Sequence, residues 1–74
     1  AEQAKLAGQA TFSKEQAQAV ALQNVSGDVI KSELEDEDGA VLWNFEIRKS
    51  NGKVTEAKVD AKTGKFVKAE NDDD

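Results

Sequence analysis

Several residue types that carry chemistry or brace small proteins are missing from this chain of 74 residues. It contains no cysteine and no histidine, one tryptophan and three phenylalanines. Without cysteine no disulfide framework can form, and without either residue the usual zinc ligands are absent. The same absences exclude a Ser-His-Asp triad, a cysteine nucleophile and an imidazole acid–base pair. We therefore predict a protein that is not an enzyme and that holds no metal and no cofactor.

Charge and hydrophobicity exclude two further classes. The net charge is −5, whereas affinity for nucleic acid comes mainly from clustered lysine and arginine. No stretch approaches the roughly 18 apolar residues of a membrane-spanning helix. With 38% hydrophobic residues, a chain of this length has material for one small core, so we expect a single domain of marginal stability.

The first structured element is predicted to be a helix that begins after Ser13. Ser13 and Gln16 have the spacing of a capping box, in which each side chain bonds the other residue's backbone amide. The helix then runs to about Asn24, and Gly27 stops it. One face carries small apolar side chains at helical spacing, chiefly Ala17, Val20, Ala21 and Val25. Such a stripe packs inward.

From Val29 the hydrophobic period changes from 3.6 to 2, which predicts four strands. The second is the strongest, because Val41, Trp43, Phe45 and Ile47 alternate strictly with Leu42, Asn44, Glu46 and Arg48. Short turns at Asp38-Gly39, Asn51-Gly52 and Thr63-Gly64 enforce antiparallel neighbours, and Asn-Gly favours a tight type I′ turn. The predicted fold is α+β, one N-terminal helix packed on a four-stranded antiparallel β-meander. Its parts are a mobile lead-in (1–10), the domain (11–70) and an acidic tail (71–74).

Charge divides the chain into blocks. Residues 28–38 hold six acids and one base, and residues 46–68 hold three acids and seven bases. If these segments are neighbouring strands, we expect opposite charges to face each other on the solvent side.

The helix should cover Trp43, Phe45 and Ile47. The alternate positions Leu42, Asn44, Glu46 and Arg48 are then the predicted exposed face and the candidate protein-binding residues, with Leu42 as an apolar anchor.

The order of these features resembles the PepSY domain over about residues 11–70. The resemblance is carried by the capped helix Phe12-Ser13-Lys14-Glu15-Gln16-Ala17, the acidic turn Glu35-Asp36-Glu37-Asp38-Gly39, the aromatic strand 41–47 and the turn Asp60-Ala61-Lys62-Thr63-Gly64. Ser32 and Asn24 stand where the family more often has apolar or small residues. PepSY domains occur in propeptides of secreted thermolysin-like metallopeptidases and in small secreted, periplasmic or envelope proteins of bacteria.

The resemblance implies a non-catalytic protein-binding module of an extracytoplasmic bacterial protein, one that regulates or inhibits a secreted peptidase. Its partner would be a protein or peptide that docks on the exposed face or adds a strand to a free edge, and the chain itself would be a monomer or a weak dimer. Two alternatives stay open, an acidic cation-binding protein and a structural module of a larger envelope protein. The acidic turn fails the spacing of an EF-hand, because Leu34 and Phe45 fall where oxygen ligands belong.

The predicted core gives a first test. Trp43→Ala or Phe45→Ala should cost several kcal/mol, about 3–5 for a buried aromatic side chain. That is a large share of the stability of so small a domain, so either variant should be largely unfolded at room temperature. Thermal melts followed by circular dichroism measure this. A cooperative transition near the parent's midpoint would show that these rings lie outside the core.

Overall fold

The structure, a computed structural model, describes residues 8–71 and shows one helix followed by four strands. The elements are α1 (Lys14–Asn24), β1 (Asp28–Glu37), β2 (Ala40–Arg48), β3 (Val54–Asp60) and β4 (Phe66–Asn71). The strands form one antiparallel sheet in the order β1-β2-β3-β4. This confirms the predicted α+β meander. Most of the predicted lead-in and tail, residues 1–7 and 72–74, lies outside the described residues.

Helix α1 begins where the capping box predicts. The Ser13 hydroxyl oxygen accepts the Gln16 backbone amide hydrogen at 3.1 Å, and the Ser13 amide donates to the Gln16 side chain at 2.9 Å. Two of the amides that a helix start leaves without intrahelical partners are thereby satisfied. At the other end Val25 is extended, and its amide closes the last turn on the Ala21 carbonyl at 2.8 Å. The helix therefore ends at Asn24, as predicted.

The main core lies between α1 and one face of the sheet. Ala17 and Ala21 are fully buried, and their small side chains let the helix axis approach the strands closely. They pack with Val25, Phe45, Ile47, Ala57 and Val59, and Trp43 packs against this cluster. The Trp43 and Phe45 rings stack with centroids 6.1 Å apart. The prediction that the aromatic row of β2 faces the helix is confirmed.

The segment before the helix is tied to the far end of the sheet. The Trp43 indole N–H donates to the Phe12 carbonyl at 2.9 Å, and the amides of Thr11 and Phe12 both donate to the Ala61 carbonyl at 2.8 Å. Ala10 packs against a second small cluster of Leu34, Val41 and Ala61. These bonds satisfy the indole N–H, and they hold Phe12 over the end of β3.

The turns follow the predicted positions, but the type I′ turn is at Asp38-Gly39 and not at Asn51-Gly52. Asp38 and Gly39 both have positive φ, 52° and 85°, which is the type I′ signature of a two-residue hairpin link. The sequence assigned that turn to Asn51-Gly52, and this assignment was wrong. Five residues, 49–53, join β2 to β3, so the bend is spread over a longer loop in which only Gly52 has positive φ, at 85°.

The turn after β3 packs against the segment that precedes α1. The Asp60 carboxylate accepts hydrogen bonds from the backbone amides of Lys62 at 2.8 Å and Thr63 at 3.0 Å. Gly64 follows with a positive φ of 76°, and the Phe12 ring lies directly against it. A Cβ built on Gly64 would come within 2.5 Å of that ring, whereas one built on Gly52 would meet nothing within 4 Å.

The contact between Phe12 and Gly64 can be tested with a matched pair of glycines. Gly64→Ala and Gly52→Ala both place a side chain at positive φ, at a similar cost of about 1–2 kcal/mol. Gly64→Ala should destabilise by about 1–3 kcal/mol more, because its methyl group overlaps the Phe12 ring. Urea denaturation followed by circular dichroism measures both. In a Phe12→Ala background the two costs should become equal. Equal costs in the parent would contradict the contact.

Candidate functional site

The sheet face opposite α1, here called the open face, is almost entirely charged. Across the antiparallel registers it is formed by one alternate set of positions, since side chains on one face recur every second residue. These are Lys31, Glu33, Glu35 and Glu37 in β1, Leu42, Asn44, Glu46 and Arg48 in β2, Glu56 and Lys58 in β3, and Lys68 and Glu70 in β4. No described helix or strand covers this face.

Lys58 is the centre of the open face. Only 8% of its side chain is exposed, and its ammonium nitrogen lies 3.0 Å from a carboxylate oxygen of both Glu35 and Glu37. Lys58 belongs to β3 and the two glutamates belong to β1, whereas β2 lies between these strands. The lysine side chain must therefore cross β2 on the open face to reach them. Its aliphatic stem covers apolar surface while its ammonium is paired.

This crossing explains why two predicted surface residues are buried. Leu42 is 3% exposed and Asn44 is 7% exposed, although no helix covers them. Both lie on the part of β2 that Lys58 spans, since Asn44 pairs with Lys58 and Leu42 pairs with Glu35 in the registers. The prediction that Leu42 and Asn44 are exposed, with Leu42 an accessible anchor, was wrong. Alternation assigns a residue to a face but does not show what long neighbouring side chains cover.

The other two predicted binding residues remain accessible. Glu46 is half-buried and Arg48 is exposed at the end of β2. Glu46 pairs in register with Lys31 of β1 and Glu56 of β3. The Asn44 amide nitrogen donates to Glu56 at 3.3 Å, whereas its buried carbonyl oxygen has no hydrogen-bond partner in the described part of the chain. The accessible portion of the site is thus the end of the open face that carries Arg48.

Opposite charges meet between residues 28–38 and 46–68, as predicted, since Lys58 lies 3.0 Å from Glu35 and Glu37. Across β3 and β4, however, like charges face each other. Lys58 pairs with Lys68 and Glu56 pairs with Glu70 in the register, so like charges are opposed. The ion pairs run diagonally or along a strand instead. Lys58 is 3.8 Å from Glu70, and Lys68 is 3.7 Å from Glu37. The net charge of a segment predicts overall attraction, but the register decides which groups meet.

The central ion pairs change two pKa values in opposite directions. The close contacts of its ammonium group with the carboxylates of Glu35 and then Glu37 raise the pKa of Lys58 above its ordinary value of 10.5, in spite of its burial. The hydrogen bond from Lys58 lowers the pKa of Glu37 below its ordinary value of 4.5. At neutral pH the lysine is charged and Glu37 is ionised. The arrangement is a structural ion-pair network.

Two solvent-open hollows lie away from the open face. One of about 430 Å³ lies at the end of α1 beside Lys49, Thr55 and Asn71, and one of about 340 Å³ lies beside Phe12 and Trp43. Neither hollow is lined by a carboxylate, so neither offers an acid–base pair. No group of three or more carboxylates within residues 8–71 is arranged to hold a metal ion.

Residues 12–70 match the family model PepSY, described as the peptidase propeptide and YPEB domain. The match covers most of the chain and includes α1 and all but the last residue of the sheet. The chain therefore belongs to the PepSY family, as its resemblance implied.

Comparison with curated proteins gives a bacterial relative. The chain is 39% identical over 67 residues to the uncharacterized protein YkoJ of Bacillus subtilis (strain 168). The alignment covers 90% of this chain and 39% of that protein, so the chain spans about two fifths of the length of its relative. No solved structure matches the chain significantly.

The role of Lys58 can be tested by removing its charge and keeping its stem. Lys58→Met should destabilise the domain at pH 7 by about 1–3 kcal/mol, because Glu35 and Glu37 lose their cation. Lys68→Met is the matched control on the same face. Since that side chain is 44% exposed and its pairs are long, its loss should cost about 0.5 kcal/mol or less. Urea denaturation measures both.

The same variants make a prediction about pH. Because the pKa of folded Glu37 is lowered, its contribution to stability is present above about pH 4.5 and is lost as the pH falls through the lowered value. The stability difference between parent and Lys58→Met should therefore narrow from pH 7 to about pH 3. The contribution of Lys58, whose pKa is raised, persists until strongly alkaline pH. A difference that is constant or grows in acid would contradict the ion-pair network.

Proposed function

We propose that this domain is a non-catalytic protein-binding module of an extracytoplasmic bacterial protein, and that it regulates or inhibits a secreted peptidase through the open face of its sheet. The observation that carries this proposal is the open face itself. α1 covers one side of the sheet, and no described element covers the other, where Lys58 holds Glu35 and Glu37 at 3.0 Å. A flat charged surface is thus fixed before any partner arrives.

Fixed charges favour recognition for two reasons. Side chains already held by ion pairs lose less conformational entropy when a partner binds. A patterned surface also selects its partner by electrostatic complementarity, which acts on association rate and specificity more than on raw affinity. Glu46 and Arg48 are the predicted binding residues that a partner reaches directly. Leu42 and Asn44 would contact a partner only after Lys58 moved aside, and the buried Asn44 carbonyl oxygen would then gain access to a donor.

Family membership supports both the location and the kind of partner. The matching model is a peptidase propeptide domain, and propeptides act on the enzymes they accompany, outside the cytoplasm. No helix in residues 8–71 is long and apolar enough to cross a membrane. The domain would then act on its peptidase by occupying a surface that substrate or another subunit needs, with no chemistry of its own.

Titration of the domain against a purified secreted thermolysin-like metallopeptidase tests this proposal. Binding is measured by calorimetry, and inhibition is measured by cleavage of a peptide substrate. We expect binding at micromolar concentration and loss of peptidase activity. Arg48→Glu should weaken binding about tenfold or more, since reversing an interface charge changes attraction to repulsion.

Lys14→Glu is the matched control, because it changes the net charge by the same amount on an exposed position at the start of α1. It should leave binding unchanged. Equal weakening by both variants would indicate a general charge effect and would contradict a specific role of the open face. The absence of both binding and inhibition at micromolar concentration would contradict the proposed regulation of this class of peptidase.

A further inference from the structure

The edge strand β4 carries two charges that its neighbour β3 pairs only weakly. In the register with β3, Lys68 faces Lys58 and Glu70 faces Glu56, and like charges placed directly opposite are destabilising. The ion pairs that the two β4 residues do make are long, 3.8 Å from Glu70 to Lys58 and 3.7 Å from Lys68 to Glu37. Lys68 and Glu70 are 3.9 Å apart, with side chains 44% and 53% exposed. Pairs of this kind contribute little to stability, so both charges remain free to meet a better partner.

The order of these charges is self-complementary. If a second copy of β4 pairs antiparallel with the first about Ala69, Lys68 lies opposite the second copy's Glu70, and Glu70 lies opposite its Lys68. Ala69 then faces its own counterpart, where two methyl groups offer no steric obstacle. The same order continues in the sequence on either side of the strand, with Lys65 before it and three aspartates after Asn71.

The other edge of the sheet has the same order at Lys31 and Glu33 but a strong excess of negative charge. Strand β1 carries five acids and one base, Asp28, Lys31, Glu33, Glu35, Asp36 and Glu37. Two copies of β1 paired about Ser32 would oppose Asp28 with Asp36 twice, and each strand has a net charge of −4, so the strands would repel each other on balance. In β4 the opposite charges alternate with uncharged residues, and no described strand pairs with its outer side. The charge pattern thus favours one edge for self-association and disfavours the other.

We propose that the protein self-associates through β4, which pairs antiparallel with the β4 strand of a second copy about Ala69 and joins two four-stranded sheets into one. The interface is isologous, so each interaction occurs twice. The register shift between Lys58 and Val59 places a bulge at Val67 and limits regular pairing to the end of the strand. Bulges weaken edge pairing, and the dimer is accordingly a weak one.

Charge-reversed variants test the proposal by complementation. In the dimer of Lys68→Glu, the new glutamate at position 68 faces Glu70 of the other copy at both contacts. In the dimer of Glu70→Lys, the new lysine at position 70 likewise faces Lys68 of the other copy. Each variant should therefore dimerise at least tenfold more weakly than the parent. An equimolar mixture of the two should recover the dimer, because every pair across the interface is again opposite in charge. The double variant Lys68→Glu/Glu70→Lys should recover it as well. Analytical ultracentrifugation at low salt, up to about 1 mM protein, measures the association.

Circular dichroism confirms that each variant is folded, and Lys14→Glu serves as a control that should dimerise like the parent. A parent that is monomeric at about 1 mM would overturn the proposal. Single variants that dimerise as well as the parent would also overturn it. Failure of the equimolar mixture to restore the dimer would do the same, because either result places the contact elsewhere. The test is independent of the proposed function, because it contains no peptidase and measures only the association of this protein with itself.

Discussion

The ion pairs of Lys58 with Glu35 and Glu37 are the interaction on which the open side of this domain depends. A four-stranded sheet covered by one helix has two faces but only one apolar layer, so the second face needs another means of excluding water from its strands. Here a lysine from β3 crosses β2 and pairs with β1 at 3.0 Å. It links three strands and covers Leu42 and Asn44 with its stem. Removing charges from water is costly, and two carboxylates around one ammonium offset that cost.

The same arrangement determines which parts of the surface are available for recognition. Because the centre of the open face is occupied by its own ion pairs, the accessible charges lie at its ends, at Arg48 on β2 and at Lys68 and Glu70 on β4. The two proposals use these two regions separately. Under these two proposals a partner would contact the face near Arg48 and a second copy would contact the β4 edge, so binding and self-association would use different charged residues.

Much of the fold was predictable because local signals agreed with one another. The capping box at Ser13, the alternation in β2 and the glycine turns each specify an element independently of the rest of the chain. The alternation also identified Trp43, Phe45 and Ile47 as the row under the helix. The candidate site was less predictable. The sequence assigned Leu42, Asn44, Glu46 and Arg48 to one face correctly, but two of the four are buried, because the reach of a lysine two strands away has no signature in local periodicity.

The sequence by itself determined the class of fold, the start of the helix, the face of the sheet that carries the core and the absence of thiol and imidazole chemistry, because all of these depend on residue type and short-range spacing. Only the tertiary structure decided the register, and with it the opposition of Lys58 to Lys68 and the diagonal ion pairs. It also decided that Phe12 packs on Gly64 and that Asp38-Gly39 forms the type I′ turn. These features depend on which strands become neighbours and how far each side chain reaches, and both are settled only when the chain has folded.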